Sequence, residues 1–389
     1  MPWKEVNPMD QKILFIGDYL RRDAELSQLC QRYGISRKTG YKWIGRYRSE
    51  GLAGLDERSR RPLNVSPTPY AICQAVLQLR TRRFRPGPKK IQALLGERFA
   101  QELIPSKTTI YNILRRAGLI EARRRKPRVG RSPQRLGTAS EPNDMWSADY
   151  KGQWKTADAR WCYPLTVMDH ASRYLLGCQG LPGTRFRPTQ AVFERLFRQY
   201  GLPQRIRTDN GVPFASLGVA GLSQLSVWWI RLGIVPERIA PGQPQQNGRH
   251  ERMHRTLKRD LGPPPAANLR AQQRQLNDFC REYNEQRPHE ALGQRCPKAC
   301  YRPSPRPYPS RLPELQYPSY FELHRVSHNG LMYWRALRIY VGYLLAGQVV
   351  GLEQVRQDVW DVYFGPVRLG AFDQRSTKGR LDDYIVLNV

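Results

Sequence analysis

Negative charge is scarce in this chain. Only 33 of its 389 residues are Asp or Glu, against 64 Lys and Arg, a formal net charge of +31 with His neutral. That imbalance is too large to serve solubility and implies a polyanionic partner, nucleic acid first. A membrane surface is the rival, but no basic amphipathic helix with a Trp/Leu face supports it. The sequence has no run of about eighteen apolar residues, the minimum for a bilayer span. Its N-terminus, MPWKEVNPMDQK, lacks the apolar centre of a signal peptide. The seven Cys follow no disulfide or zinc spacing, and only Cys296 and Cys300 are near neighbours. They read as reduced thiols of a cytoplasmic protein. No Cys or Ser nucleophile motif is present.

Where acids do occur, three have telling contexts. Asp149 lies in Trp146-Ser147-Ala148-Asp149-Tyr150, a strand pattern. Asp209 closes Arg205-Ile206-Arg207-Thr208 and opens Asp209-Asn210-Gly211. Glu251 follows Gln246-Asn247-Gly248-Arg249-His250 and starts a helix crowded with Arg and Lys. Carboxylates bind hard cations such as Mg²⁺, which keeps several waters and needs few protein ligands. Two such ions about 4 Å apart can serve both oxygens of a phosphodiester displacement. Asp149 on a central strand is the candidate bridging ligand, flanked by Asp209 and Glu251. Arg255 and Lys258, at i+4 and i+7 from Glu251, share its helix face and are candidates to hold a DNA backbone beside the metal.

The chain divides by pattern into tandem all-α helix-turn-helix units, a mixed α/β core and a small β-rich tail. Residues 1–60 form the first helix-turn-helix unit. Asn7-Pro8 opens a helix marked by Ile13, Ile16 and Leu20; a second helix is expected over 25–33, and Ser36 caps a third over 37–50. That third helix exposes Arg37, Lys38 and Lys42, and Gly40 interrupts its apolar pattern. Residues 66–120 repeat the design, with Ile72, Val76, Leu79, Ile91, Leu94 and Leu95 as the core. Ser106 caps its last helix, which exposes Lys107, Thr108 and Arg115. Two basic recognition helices in tandem point to DNA. Residues 121–142 are a basic linker. Residues 143–300 alternate strands (145–154, 163–169, 173–179, 204–208, 234–239) with helices (188–200, 221–232, 247–261, 268–284), a mixed sheet. Residues 301–319 hold six prolines and read as a stiff spacer. Residues 320–389 are β-rich: Asn329-Gly330 signals a hairpin, Trp360, Val362 and Phe364 alternate, and a small β-barrel is expected.

Taken together, Asp149, Asp209-Asn210-Gly211, Asn247-Gly248-Arg249-His250-Glu251-Arg252, Tyr283-Asn284 and Arg287-Pro288-His289 resemble the core of bacterial insertion-sequence transposases. These are of the DDE class, similar to retroviral integrases, with an RNase H-like fold. The likeness covers residues 10–300. It implies Mg²⁺-dependent cleavage at a mobile element's ends, with Mn²⁺ able to substitute, then attack of the freed 3′-hydroxyl on target DNA. By position, Asp149, Asp209 and Glu251 would be the catalytic metal ligands, with Arg255 and Lys258 gripping terminal nucleotides. Double-stranded DNA and a second copy of the chain, in at least a dimer, are the implied partners, and the cytoplasm beside the nucleoid the implied location. Forty-one residues separate Asp209 from Glu251, several more than the family usually has, with the excess placed in 215–227.

Competing patterns are weaker. His250-Glu251-Arg252-Met253-His254 fits the H-E-x-x-H helix of zinc proteases, but a third ligand is not evident and the helix continues into Arg255, Lys258 and Arg259. Both His read instead as polar or DNA-facing. Asp169 reads as a turn residue, His170 as surface, and Asp260 has no supporting context. Trp228 and Trp229 read as core or dimer contact. The functional rivals are an inactive DNA-binding regulator derived from a transposase, which would have lost a carboxylate, and a simple RNase H-like nuclease, for which two DNA-reading units are surplus.

Overall fold

The computed structural model describes residues 8–58, 67–120, 137–262, 264–375, 380–381 and 384–388. Asn7 and most of the basic linker lie outside them. The chain forms two compact units, Met1–Thr68 and Pro69–Val389.

The first unit is a trio of helices: α1 (Pro8–Arg21), α2 (Leu26–Arg32) and α3 (Arg37–Glu50). Ser36 caps α3, its hydroxyl accepting from the Thr39 amide at 3.2 Å. The core is Phe15, Ile16, Leu29, Cys30, Trp43, Ile44 and Leu55. The apolar spacing misplaces part of α1: Ile13 and Leu20 are exposed, and Phe15 takes their place inside. Gly40 is no defect. A Cβ there would lie 2.6 Å from the Cys30 sulfur and 3.3 Å from the Phe15 ring, so its absence lets α3 close onto α1 and α2.

The second unit opens with another helical trio, α4 (Tyr70–Thr81), α5 (Pro88–Gly96) and α6 (Lys107–Arg116). Ser106 caps α6 through the Thr109 amide. Ile72, Val76, Leu79, Ile91, Leu94 and Leu95 are all buried, joined by Phe84, Ile110 and Leu114.

The central sheet follows. Its strands are β1 (Met145–Tyr150), β2 (Trp154–Lys155), β3 (Trp161–Asp169), β4 (Leu175–Leu181), β5 (Arg205–Thr208) and β6 (Val235–Arg238). The order is β2-β3-β1-β5-β6, with β4 also on β3. β1 pairs antiparallel with β3 and parallel with β5, so the sheet is mixed and β1 is central. The helices are α7 (Phe186–Tyr200), α8 (Gln224–Arg231), α9 (Gly248–Asp260) and α10 (Leu269–Glu285). Strand alternation sends Trp146, Ala148 and Ile206 toward Phe193, Phe197 and Trp229 of α7 and α8. Met168, Leu175 and Cys178 meet Met253, Leu257, Leu276 and Phe279 of α9 and α10. Helices therefore cover both faces. Trp228 and Trp229 are core. The strand expected over 145–154 breaks into β1 and β2, with Gly152 at φ 87 between them.

The proline-rich segment is extended, but it is laid along the core rather than spanning free space. Arg306 donates to the carbonyls of Pro203, Leu232 and Gly233, and Tyr301 stacks on Tyr174 at 4.4 Å.

The tail contains β7 (Glu322–Arg325), β8 (Leu331–Trp334), β9 (Leu337–Tyr340), β10 (Val349–Arg356), β11 (Val359–Phe364), β12 (Val367–Asp373), β13 (Arg380–Leu381) and β14 (Tyr384–Val386). The expected barrel is not found among the described residues. Two four-stranded sheets, β12-β11-β10-β7 and β13-β14-β9-β8, share one core without a hydrogen-bonded path closing them into a ring. The Asn329-Gly330 turn forms, but its flanking strands β7 and β8 enter different sheets. Trp360, Val362 and Phe364 all point inward. The 215–227 stretch has a use here: Val219, Leu222 and Val227 pack into the tail's core.

Candidate active site

The sheet order fixes where the acids stand. Trp146 and Ala148 of β1 face α7 and α8, so Ser147 and Asp149 project toward α9. Asp209 directly follows β5, the strand parallel to β1. Its carboxylate accepts from the Gly211 amide at 3.2 Å, and Asn210 donates to the Ile239 carbonyl at 2.9 Å, tying this turn to the end of β6. Glu251 lies in the first turn of α9, exposed.

The three acids share one electrostatic environment. Burial pushes the Asp149 carboxyl up to about 7, and the charge of Asp209, then that of Glu251, adds to the rise. Like charges held together without a cation raise a carboxyl pKa in this way. The donor set therefore fits a divalent cation: all oxygen ligands, with a repulsion on Asp149 that a cation would relieve.

The start of α9 is positioned by residues that carry no motif. Arg207, buried on β5, pairs with Glu237 of β6, its Nε donating at 2.6 Å. It also donates to the carbonyls of Gly137 (2.7 Å) and Gln246 (3.2 Å). The Gln246 side chain accepts from the Ala240 amide at 2.8 Å, and Arg249 donates to the His170 carbonyl at 3.0 Å. These contacts hold the Asn247-Gly248 turn, and hence Glu251, against β5. The one sequence signal for them is an arginine inside a four-residue strand.

His250 and His254 are buried, not DNA-facing. They form a network under Asp149. Thr166 Oγ1 lies 2.7 Å from both Nε2 atoms and donates to the Asp149 carbonyl at 3.0 Å. With its one proton engaged there, Thr166 accepts from both rings, which assigns both rings a proton on Nε2. His250 Nδ1 then accepts from Ser147 at 2.9 Å, and His254 Nδ1 faces Asp149 Oδ2 at 3.5 Å. That contact has the geometry of an ion pair but not the charges. Burial, with help from His250 and Lys151, holds His254 neutral, while Asp149 is pushed the other way. Asp149, His250 and His254 offer donor atoms within 4.8 Å of one another, yet the ring nitrogens are largely engaged by Thr166 and Ser147. Glu251 stands exposed on another face, so the zinc-protease arrangement is not formed.

Asp169 braces the β3–β4 turn, accepting from Asn143 N, Ser172 N and Ser172 Oγ. Asn284 pairs with both backbone groups of Leu175. Arg255 and Lys258 are exposed on the Glu251 stripe. Arg37, Lys38, Lys42, Lys107, Thr108 and Arg115 are exposed on their helices. Asp260 does have a role: its buried carboxylate pairs with Arg287 and Arg259.

His170 is buried rather than surface. Burial and the charges of Arg249, Arg207 and Arg173 push its pKa down to about 2. The folded ring stays neutral while the unfolded ring takes up a proton below about 6.5. Its contribution to stability is full above that pH and is lost as pH falls, by up to about 1.4 kcal/mol per pH unit. Thermal melts of the full chain from pH 7 to 5 should show a falling midpoint, shallower in His170→Gln; equal slopes would refute this origin.

Asp149, Asp209 and Glu251 thus stand on β1, directly after β5 and in the first turn of α9, on a mixed sheet covered by helices on both faces. This core matches a known family. The Integrase core domain family matches residues 139–244 and 232–297, the Helix-turn-helix domain family 11–62 and the Homeodomain-like domain family 39–114. The chain carries an RNase H-like integrase core and helix-turn-helix domains, and it is homologous to insertion-element proteins. It is 29% identical over 282 residues to an uncharacterized 39.2 kDa protein of insertion element IS476 from Xanthomonas euvesicatoria, covering 70% of this chain and 77% of that one. It is 28% identical over 274 residues to an uncharacterized 31.7 kDa protein of IS407 from Burkholderia multivorans, covering 70% and 92%. Among solved structures, the HTLV-2 integrase catalytic core domain in complex with magnesium aligns over 41% of this chain and 97% of that one, at 17% identity and TM-score 0.32. A simian T-cell lymphotropic virus intasome aligns over 74% and 100%, at 16% identity and TM-score 0.34. Integrase core domains use divalent metals, and helix-turn-helix domains point to DNA as partner. No helix of the described residues is long and apolar enough to cross a membrane.

Proposed function

We propose that the chain is a DNA transposase that binds the terminal inverted repeats of a mobile element, cleaves DNA strands at its ends and transfers them to target DNA. What supports this reading is the placement of Asp149 on β1, Asp209 directly after β5 and Glu251 in the first turn of α9, with the charges of Asp209 and Glu251 both raising the Asp149 carboxyl.

These three residues would hold the divalent ions, Mg²⁺ or in its place Mn²⁺, which when bound activate the attacking oxygen and stabilise the leaving one. Asp149 would reach the ions from the central strand β1. The Ser147–His250–Thr166–His254 network holds its backbone in place through the Thr166 bond to the Asp149 carbonyl. Arg255 and Lys258 hold phosphates beside Glu251. Arg37, Lys38 and Lys42 on α3, with Lys107, Thr108 and Arg115 on α6, read the element's ends, and the basic linker follows phosphates between units. Two or more copies of the chain bring two ends together, in the cytoplasm beside the nucleoid.

The test is incubation of the full chain with duplexes carrying the element's ends, in Mg²⁺ or Mn²⁺. Metal-dependent strand cleavage and strand-transfer products are expected. Tight, specific binding with no product in either ion would leave the rival reading, an inactive DNA-binding regulator.

A further inference from the structure

A second charged feature lies beside the carboxylates. Within the second compact unit, a groove of about 1640 Å³ runs between the α4–α6 trio and the outer side of α9. Eleven lysines and arginines line it against two carboxylates, Asp260 and Glu290. Both are already taken: Asp260 by Arg287 and Arg259, Glu290 by Lys89 at 2.5 Å. The groove is held open by protein contacts on its floor, where Arg259 donates to the Phe84 carbonyl at 3.1 Å and the Arg287 guanidinium lies 4.9 Å over the Phe84 ring.

Helix geometry links this groove to the candidate active site. On α9, Glu251, Arg255 and Lys258 form one stripe, and Arg252, Thr256 and Arg259 form the next, one residue on. The second stripe lines the groove; facing it are Lys107, Thr108 and Arg115 of α6, the helix expected to read DNA. Between them stands Lys90, which has no ion-pair partner among the described residues. Burial and the charges of Arg287, Arg252 and Arg259 hold its ammonium down to about 8. Cations crowded without counter-charge are favoured by an incoming anion, and a line of them along a groove matches the regular phosphates of a nucleic-acid backbone.

We propose that this groove carries the backbone of the duplex adjoining the cleaved end, so that DNA read by α6 passes over Lys90 and Arg252 to the carboxylates of the same chain. The proposal rests on the transposase reading for its last clause only. The ligand is duplex DNA rather than a small anion, because the groove continues the exposed faces of both α6 and α9. The route is within one chain, because both walls and the carboxylates belong to one compact unit.

Two measurements test it. Lys90→Gln/Arg252→Gln changes side chains that make no hydrogen bond or ion pair among the described residues, so its melting temperature should match the wild type or exceed it. Fluorescence anisotropy of the full chain with an end duplex, from 50 to 200 mM salt, should show the slope of log K against log salt reduced by about two, roughly 0.9 for each phosphate no longer neutralised. An unchanged slope overturns the groove, whether or not the chain cleaves DNA; Asp209→Asn should bind with the wild-type slope. The second measurement mixes the double variant with Asp209→Asn on duplex ends. If groove and carboxylates serve the same DNA within one chain, each defective chain stays defective and cleavage is not restored. Restored cleavage overturns the single-chain path. A wild-type chain that binds with the full slope yet never cleaves would count against the transposase reading and leave the groove intact.

Discussion

Asp209→Asn is expected to lower strand cleavage at an element's end by about a thousandfold or more, while end binding and the melting temperature stay near wild type. The first half follows from charge. A divalent ion contributes several kcal/mol of transition-state stabilisation, and each 1.4 kcal/mol is tenfold in rate. Asparagine keeps the size and one acceptor oxygen but removes the anionic ligand. The second half follows from the local structure. Asp209 is half-buried, and its carboxylate accepts from the Gly211 amide, a bond that an asparagine oxygen can also accept. Losing its charge also relieves the repulsion on Asp149, so no stability penalty is expected. Single-turnover cleavage of an end duplex measures the rate, and calorimetric titration with Mn²⁺ measures ion affinity independently of turnover. Wild-type rates in the variant would remove Asp209 from the catalytic set.

The sequence shows the three acids because each stands at a point where the local pattern changes: a strand's last turn outward, a strand end, a helix start. It shows the two capping serines for the same local reason. What it hides is contact between distant segments. His250 and His254 read as DNA-facing because their neighbours are basic. Their spacing holds the better signal: His250, Met253, His254 and Leu257 fall at i, i+3, i+4 and i+7, the period of a buried stripe, and all four are buried. Glu251, Arg255 and Lys258 are the exposed complement. The strands of the tail are legible from alternation, but whether its sheets close depends on pairings that alternation does not encode. The length between Asp209 and Glu251 is visible as an excess; its packing against the tail through Val219 and Leu222 is not.

Asp260 is the sharpest case of a residue with no local signal, and its removal should have the largest effect on stability. Its side chain is only 1% exposed and pairs with Arg287, itself 5% exposed, at the end of α9. Arg259 contributes a second guanidinium at 2.8 Å. Arg287 is 27 residues away, beyond α10, so the pair fastens the end of the helix that carries Glu251 to the segment that follows its neighbour. Burial holds the Arg287 guanidinium below its usual range, and Asp260 works against that fall. Asp260→Ala leaves the buried Arg287 with only the more distant Glu282 carboxylate, at 3.6 Å, and removing one partner of a buried pair typically costs about 3–5 kcal/mol. Typical domains are stable by only about 5–15 kcal/mol, so the variant should lose a large share of its margin. Chemical denaturation should show a lower midpoint with an unchanged slope. The double variant Asp260→Leu/Arg287→Met replaces both charges with apolar side chains and should recover most of the loss. A double variant no more stable than Asp260→Ala would show that the pair acts through geometry that apolar packing cannot replace, and a single variant as stable as wild type would refute the buried pair as a fastening of α9.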